Sequence, residues 1–230
     1  MNESLKKYFN LAISIDCVVF GLDDDGLKVL LIERNTEPYN GVWALPGDLV
    51  DPQKVLNQTV NEVLFGLTGL SNLSFEESIR AEDVNRHPLG RVISSSYFAL
   101  VKISDHKLNP ASFAKDAQWF KLDEVGQLAF DHNTILNSCL RQLKKSAHEK
   151  PFGFELLPKQ FTLSELQILY ENVLQTPLDA RNFRKKINAL EILIDLEITQ
   201  KNVAHRPAKL FSFDQKRYNE LKNIGFNFVL

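Results

Sequence analysis

Two cysteines in 230 residues leave little room for covalent or metal-based architecture. Cys17 and Cys139 cannot build a disulfide framework or a four-ligand zinc site, and so sparse a usage fits a reducing compartment. Long apolar runs are missing as well: nothing approaches the ~18 consecutive apolar residues of a membrane span. The stretch Leu11 to Phe20 follows Lys6 and Lys7, but Asp16 interrupts it and no small-residue cleavage site follows, so it does not read as a signal peptide. A soluble, cytoplasmic protein that does not engage membrane is therefore expected. Charge of one sign is also scarce in excess. With 27 Lys+Arg against 29 Asp+Glu, the formal net charge is −2, which excludes a histone-like polycation. There is no internal repeat and no low-complexity tract.

Aromatic and apolar residues are plentiful. Sixteen Phe and a hydrophobic share of 44% exclude a disordered coil. The length suits one large domain or two modest ones. Residues 151–230 hold 11 Lys+Arg and 9 Asp+Glu, leaving the basic excess in this part and the acidic excess in residues 1–150. Pro151 and Gly153 punctuate the chain after a helical run, so two domains are expected, 1–150 and 151–230.

The first domain reads as mixed α and β. Ala12 to Gly21 is rich in Ile, Val and Phe, Asp23-Asp24-Asp25-Gly26 is a turn signal, and Lys28 to Arg34 alternates, which together spell a hairpin. Val55 to Leu67 carries apolar residues at helical spacing, as does Asn133 to Lys145. Val92 to Ile103 and Gln118 to Leu122 read as strands, and Gly41 to Val50 as loop and short strand. In the second domain, Thr162-Leu-Ser-Glu165 has the spacing of a capping box and opens a helix to about Val173. Asp179 can cap a second helix to about Leu190. Ile192 to Thr199 and Ala208 to Phe213 read as two strands. Helix, short turn, helix, hairpin is the outline of a winged helix-turn-helix.

Trp43-Ala-Leu-Pro-Gly47-Asp48 and, further on, Leu67-Thr-Gly69-Leu70 resemble the two ends of the Nudix box, G-x5-E-x7-R-E-U-x-E-E-x-G-U with U apolar. Their separation sets the register. Asp48 then stands for the leading Gly, Lys54 for the first Glu, Glu62 for the Arg, Val63 for the Glu after it, and Gly66 and Leu67 for the final Glu pair. Nudix hydrolases hold Mg²⁺ with those carboxylates, and a hard cation needs oxygen ligands. With Glu62 as the lone carboxylate of the helix and Lys54 opposing a cation, no metal, cofactor or catalytic residue is expected. The domain reads as a binding scaffold, with an active Nudix pyrophosphatase as an alternative. The candidate ligand contacts flank the cleft: Asp16, Arg34, Trp43, Arg86 and Arg91. Arg34 has the rival reading of a surface pair with Glu33 or Glu37, and Trp43 that of a core residue. Asp131-His132 reads as the cap of the following helix rather than as an acid/base dyad.

Asp179-Ala-Arg181-Asn182-Phe183-Arg184-Lys185-Lys186-Ile187 places four bases at the start of a helix, where they oppose the helix dipole. Phosphate approaching that end accounts for them, and Arg and Asn there are suited to guanine and adenine edges. Phe183 and Ile187 would share the buried face. Arg181, Asn182, Arg184, Lys185 and Lys186 are the candidate DNA contacts, with Arg206 and Lys209 on the wing. Phe161-Thr-Leu-Ser-Glu-Leu-Gln167, Arg181 to Lys186 and Arg206-Pro-Ala-Lys-Leu-Phe211 resemble the C-terminal domain of Nudix-related transcriptional regulators. Asp16-Cys-Val-Val-Phe20, Gly90-Arg-Val92 and Leu128-Ala-Phe-Asp-His132 extend the likeness into the first domain. The resemblance implies an α+β chain, a Nudix-fold α/β/α sandwich followed by a winged helix. It also implies a homodimeric repressor that meets operator DNA and is controlled by a small effector. One branch of the family senses ADP-ribose-type nucleotides and controls NAD metabolism; the other is arabinose-responsive and governs sugar catabolism. Asp16-Cys17 and Val63-Leu64 with Leu67-Thr-Gly-Leu70 resemble the sugar branch more, so arabinose or a related sugar is the expected effector and ADP-ribose the alternative. A ligand-binding adaptor whose second domain meets protein is the remaining reading.

Overall fold

The computed structural model describes residues 9–201, Val203 and 206–223, the side chain of Lys222 excepted. Strands β1 (Ala12–Asp23) and β2 (Gly26–Arg34) form the expected hairpin, closing at the pair Asp23↔Gly26. Gly26 takes a φ of 113° in this tight turn, a value that disfavours a side chain. Strand β1 is buried from Ile15 through Leu22 on both faces. The cause is its position: β6 (Val92–Lys102) runs parallel to it from Ala12↔Val92 to Leu22↔Lys102. A strand covered on both faces reads as a near-continuous apolar run.

The remaining strands are β3 (Trp43–Ala44), β4 (Gly47–Leu49), β5 (Glu76–Ala81) and β7 (Ala114–Lys121). The sheet has the order β3-β2-β1-β6-β5, with β4 pairing β1 and β7 pairing β2. Helix α1 (Leu56–Thr68) buries Val60, Leu64 and Leu67 in one cluster with Ile15, Cys17 and Val19. It stops at Gly69, whose φ of 79° makes the left-handed cap and whose N–H reaches the Phe65 carbonyl at 2.9 Å. Ser14 and Asp16 alternate with Ile15 and Cys17, so they face the opposite side of the sheet. Helix α2 (His132–Glu149) lies there, its His132 against Asp16 and its Cys139 thiol donating to the Ser78 hydroxyl at 3.3 Å. Helices on both faces make the α/β/α sandwich. Both cysteines are free and buried, and burial raises their pKa values, that of Cys139 to about 11.

The chain divides into two compact units, Met1–Gln142 and Leu143–Leu230, and the division falls inside α2. In the second unit α3 (Leu163–Leu174) opens on a complete capping box. The Thr162 N–H donates to Glu165 Oε2 at 2.6 Å, and the Glu165 N–H donates to Thr162 Oγ1 at 3.1 Å. Helix α4 (Ala180–Ala189) is capped by Asp179. The Glu171 carboxylate clasps the turn between them, accepting from the Leu178 N–H at 2.8 Å. Tyr170 and Phe183 meet edge to face at 5.5 Å within the core of this unit. Strands β8 (Leu193–Thr199) and β9 (Lys209–Phe213) pair as the wing.

Two elements were not expected. Strand β5, Glu-Glu-Ser-Ile-Arg-Ala, is a bulged edge strand with little buried, so it lacks the apolar alternation that marks a strand. Helix α5 (Gln215–Asn223) is almost wholly polar and has little apolar periodicity to reveal it. Among the described residues no helix is long and apolar enough to cross a membrane.

Candidate functional site

A cleft of about 330 Å³ opens on the α2 side of the first unit, lined among others by Asp16, Arg34, Asp48, Arg86, Phe130 and His132. Its floor is a buried charge network. Asp16 Oδ2 accepts from the Ser94 hydroxyl at 2.5 Å and from Arg86 Nη2 at 3.2 Å. Its Oδ1 stands 3.3 Å from His132 Nε2. His132 Nδ1 accepts from the Leu45 N–H at 2.9 Å, so the imidazole keeps its proton on Nε2, toward the carboxylate. Arg86 makes a two-pronged pair with Asp131, Nε to Oδ2 at 3.0 Å and Nη2 to Oδ1 at 2.7 Å. Burial works against the Asp16 carboxylate, but His132, Ser94 and Arg86 outweigh it and hold its pKa below the ordinary value. Arg86 is desolvated too, and its bonds to Asp131 and Asp16 overcome that and raise its pKa.

Gly47 faces Asp16 across β4 and β1. A Cβ there would stand 2.5 Å from both Asp16 Oδ1 and the Ile15 carbonyl oxygen. The glycine of Leu-Pro-Gly is thus required by close approach rather than by a turn. Arg34 closes another wall. Its Nε donates to the Pro38 carbonyl at 2.9 Å, and its guanidinium lies 5.4 Å from the Phe113 ring centre and 5.1 Å from that of Phe130. Burial lowers its pKa against the opposing pull of Asp48, Asp16 and Glu37. Phe130 stacks on His87 at 5.1 Å and meets Tyr39 edge-on at 4.6 Å. It does so from a φ of 54°, in the left-handed region, where Tyr39 beside it also lies at 66°.

Of the five expected ligand contacts, Asp16, Arg34 and Arg86 come together here, while Trp43 and Arg91 do not. Trp43 packs edge-on against Phe120 at 4.7 Å, away from the cleft. Arg91 turns to its own loop, its Nη1 donating to the Glu82 and Asp83 carbonyls at 2.7 and 2.9 Å. Arg34 pairs with neither Glu33 nor Glu37: Glu33 takes Lys115 at 2.7 Å. Asp131 and His132 do not cap α2 with their side chains, which belong to the charge network. Phe130, Asp131 and His132 were visible as a motif, yet only the tertiary fold shows that Phe130 and His132 line the cleft and that Asp131 holds Arg86 beside it.

The box helix carries one carboxylate, Glu62, and it pairs with Lys54 at 2.6 Å on the surface. Leu67 is core, and Val63 packs against that core. A Cβ on Gly66 would meet no atom within 4 Å, so packing does not demand the glycine. Among the described residues no group of three or more His, Cys, Asp or Glu side chains is placed to hold a metal.

In the second unit Phe183 and Ile187 are buried, and Arg181, Asn182, Arg184, Lys185 and Lys186 are exposed on the other face of α4. The helix opens on the cap expected of Asp179, whose carboxylate accepts from the Asn182 N–H at 2.8 Å. Arg184 reaches the Ser164 hydroxyl at 3.3 Å, at the start of α3. On the wing, Lys209 pairs with Asp195 at 2.7 Å, and Arg206 is exposed between β8 and β9.

Residues 11–143 match the NUDIX domain and residues 153–213 the NrtR DNA-binding winged helix domain. The chain is 29% identical over 221 residues to the ADPR responsive transcriptional repressor NtrR of Acinetobacter baylyi, covering 94% of this chain and 85% of that one. Shewanella oneidensis NrtR in complex with a 27mer DNA superposes with a TM-score of 0.72 at 26% identity, over 94% of this chain and 97% of that one. The NUDIX domain of the same protein, crystallised with ADP ribose, aligns at 27% identity with a TM-score of 0.55, over 62% of this chain and 99% of that one. With the NUDIX match spanning more than half of its length, the chain belongs to the Nudix family, in the group that joins this domain to an NrtR-type DNA-binding winged helix.

Proposed function

We propose that this protein is a DNA-binding transcriptional repressor whose effector is ADP-ribose or a nucleotide of that type, bound in the cleft without hydrolysis. The observation that carries the effector assignment is Arg34. Its guanidinium lies over two aromatic rings at the cleft wall, and only its Nε has a hydrogen-bond partner among the described residues. Arg86, by contrast, is already matched by two carboxylates. An anionic ligand therefore meets an unmatched cation at Arg34 and, at Arg86, one for which it must compete with Asp131 and Asp16, while the His87–Phe130 stack is a platform that a base can extend. Arabinose or a related sugar, the effector expected from Asp16-Cys17 and Val63-Leu64, finds no support in the relatives above, two of which are tied by name to ADP-ribose. The matching targets are genes of NAD metabolism rather than of sugar catabolism.

The absence of hydrolysis is supported by the lone Glu62 and its pairing with Lys54. DNA reading is assigned to the exposed face of α4, Arg181, Asn182, Arg184, Lys185 and Lys186, with Arg206 on the wing. Lys209 is a weaker candidate because Asp195 already neutralises it. The sensor is placed in residues 1–150 and the reader in 151–230, working as a homodimer on half-sites roughly 34–36 Å apart. Calorimetry tests the effector. ADP-ribose should bind the wild-type chain, and Arg34→Ala should weaken it by about ten- to a hundredfold, the worth of a charge-assisted contact. Equal affinities would remove Arg34 from the site, and arabinose binding in place of ADP-ribose would restore the sugar reading.

A further inference from the structure

Three consecutive residues at the start of α2, Phe130, Asp131 and His132, serve the cleft, and one of them also holds the helix. The Asp131 side chain grips Arg86, while its main-chain carbonyl accepts from the Thr134 N–H at 2.9 Å and the Ile135 N–H at 3.2 Å. Cleft and first helical turn are thus joined through a single residue. From there α2 is unbroken to Glu149, and the chain passes from the first compact unit to the second within it, after Gln142.

Arg86 lies between two carboxylates that differ in how firmly they are held. Asp16 has a 6% exposed side chain and is tied to Ser94 and His132 as well as to Arg86. Asp131 has a 25% exposed side chain, and among the described residues Arg86 is the only side-chain partner of its carboxylate. A further negative charge brought to Arg86 would set three anions around one cation, and Asp131, with no other side-chain partner among the described residues, is the carboxylate that can give way.

We propose that Asp131 is the coupling residue of the sensor: the anionic part of the effector displaces it from Arg86, and its departure loosens the first turn of the helix that leads to the reader. The proposal rests on the cleft being the effector site. It makes Asp131 a positioning residue that opposes binding, which a merely structural residue would not do.

Amide hydrogen exchange on the full chain, with ADP-ribose as the probe, tests it. In the wild type, saturating ADP-ribose should speed exchange at Thr134 and Ile135 by about tenfold, a local opening rather than a global one. Asp131→Asn should show fast exchange there without ligand, no further change on adding it, and ADP-ribose affinity about three- to tenfold tighter, because a like charge is gone. Asp131→Glu should restore the wild-type pattern. Bound ADP-ribose with unchanged or slowed exchange at Thr134 and Ile135 overturns the coupling and leaves the effector assignment standing, as does weaker binding by a folded Asp131→Asn chain. Failure of the wild type to bind ADP-ribose overturns both. The wild-type exchange measurement decides the matter even if the Asn variant does not fold.

Discussion

Asp16 is a carboxylate that burial alone would neutralise, and three neighbours keep it charged. Because its folded pKa lies below its unfolded one, the native chain binds fewer protons at this site than the unfolded chain does. The stability it contributes is present above the unfolded value near 3.8 and is lost as the pH falls through the folded value. Denaturant unfolding from about pH 6 to pH 2 should show that loss in the wild type and a flatter profile in Asp16→Asn. The variant should also be less stable at neutral pH by about 3 kcal/mol, since Arg86 and His132 lose a buried partner. Superimposable profiles would mean that the network is not formed. At this scale the sequence marked Asp16, Arg34 and Arg86, because charged residues beside apolar strands stand out by type. It misplaced Trp43 and Arg91, whose surroundings are set by packing against Phe120 and by carbonyls of a loop, and neither leaves a trace in composition. It also took Asp131 and His132 for a helix cap, since a local explanation was available and the residues they meet are distant in the chain.

Among the elements, those with a strong period were legible and those without were not. Helix α1 was evident from its apolar spacing, and it ends at Gly69, a glycine in the left-handed region. Helix α4 was evident from Asp179 and from Phe183 and Ile187, one turn apart and both buried. Strand β5 and helix α5 stayed hidden because their residues are mostly polar, so tertiary pairing in one and backbone hydrogen bonding in the other do what apolar patterning does elsewhere. The eroded box makes its own prediction. Gly66 lies in a helix with open space beside its Cα, so Gly66→Ala should raise stability by about 0.5–1 kcal/mol, measured as a shift of the denaturation midpoint at constant slope. Destabilisation would show a packing demand on that position. For α4, Arg181→Ala should cost about 1–3 kcal/mol and relax preference at one base position if it reads a base edge, whereas Lys186→Ala should weaken all sequences and reduce the salt slope by about one ion. Unchanged affinity in both would take the reading face away from this helix.

Over the whole molecule, a net charge of −2 conceals an acidic first part and a basic second one. The basic excess of the second part is small, so non-specific attraction to DNA should be weak and specific contacts should carry more of the affinity. Effector control then needs only a difference in effector affinity between the DNA-bound and DNA-free states. The central claim is that one chain both reads DNA and releases it on sensing an ADP-ribose-type nucleotide. The most direct measurement is fluorescence anisotropy of a duplex selected by the wild-type chain from a random-sequence pool, titrated with ADP-ribose while the nucleotide is monitored for cleavage. The account predicts that the duplex is bound, that ADP-ribose releases it in a saturable way, and that the nucleotide stays intact. A duplex that ADP-ribose leaves in place, or release that proceeds only as ADP-ribose is hydrolysed, would contradict it.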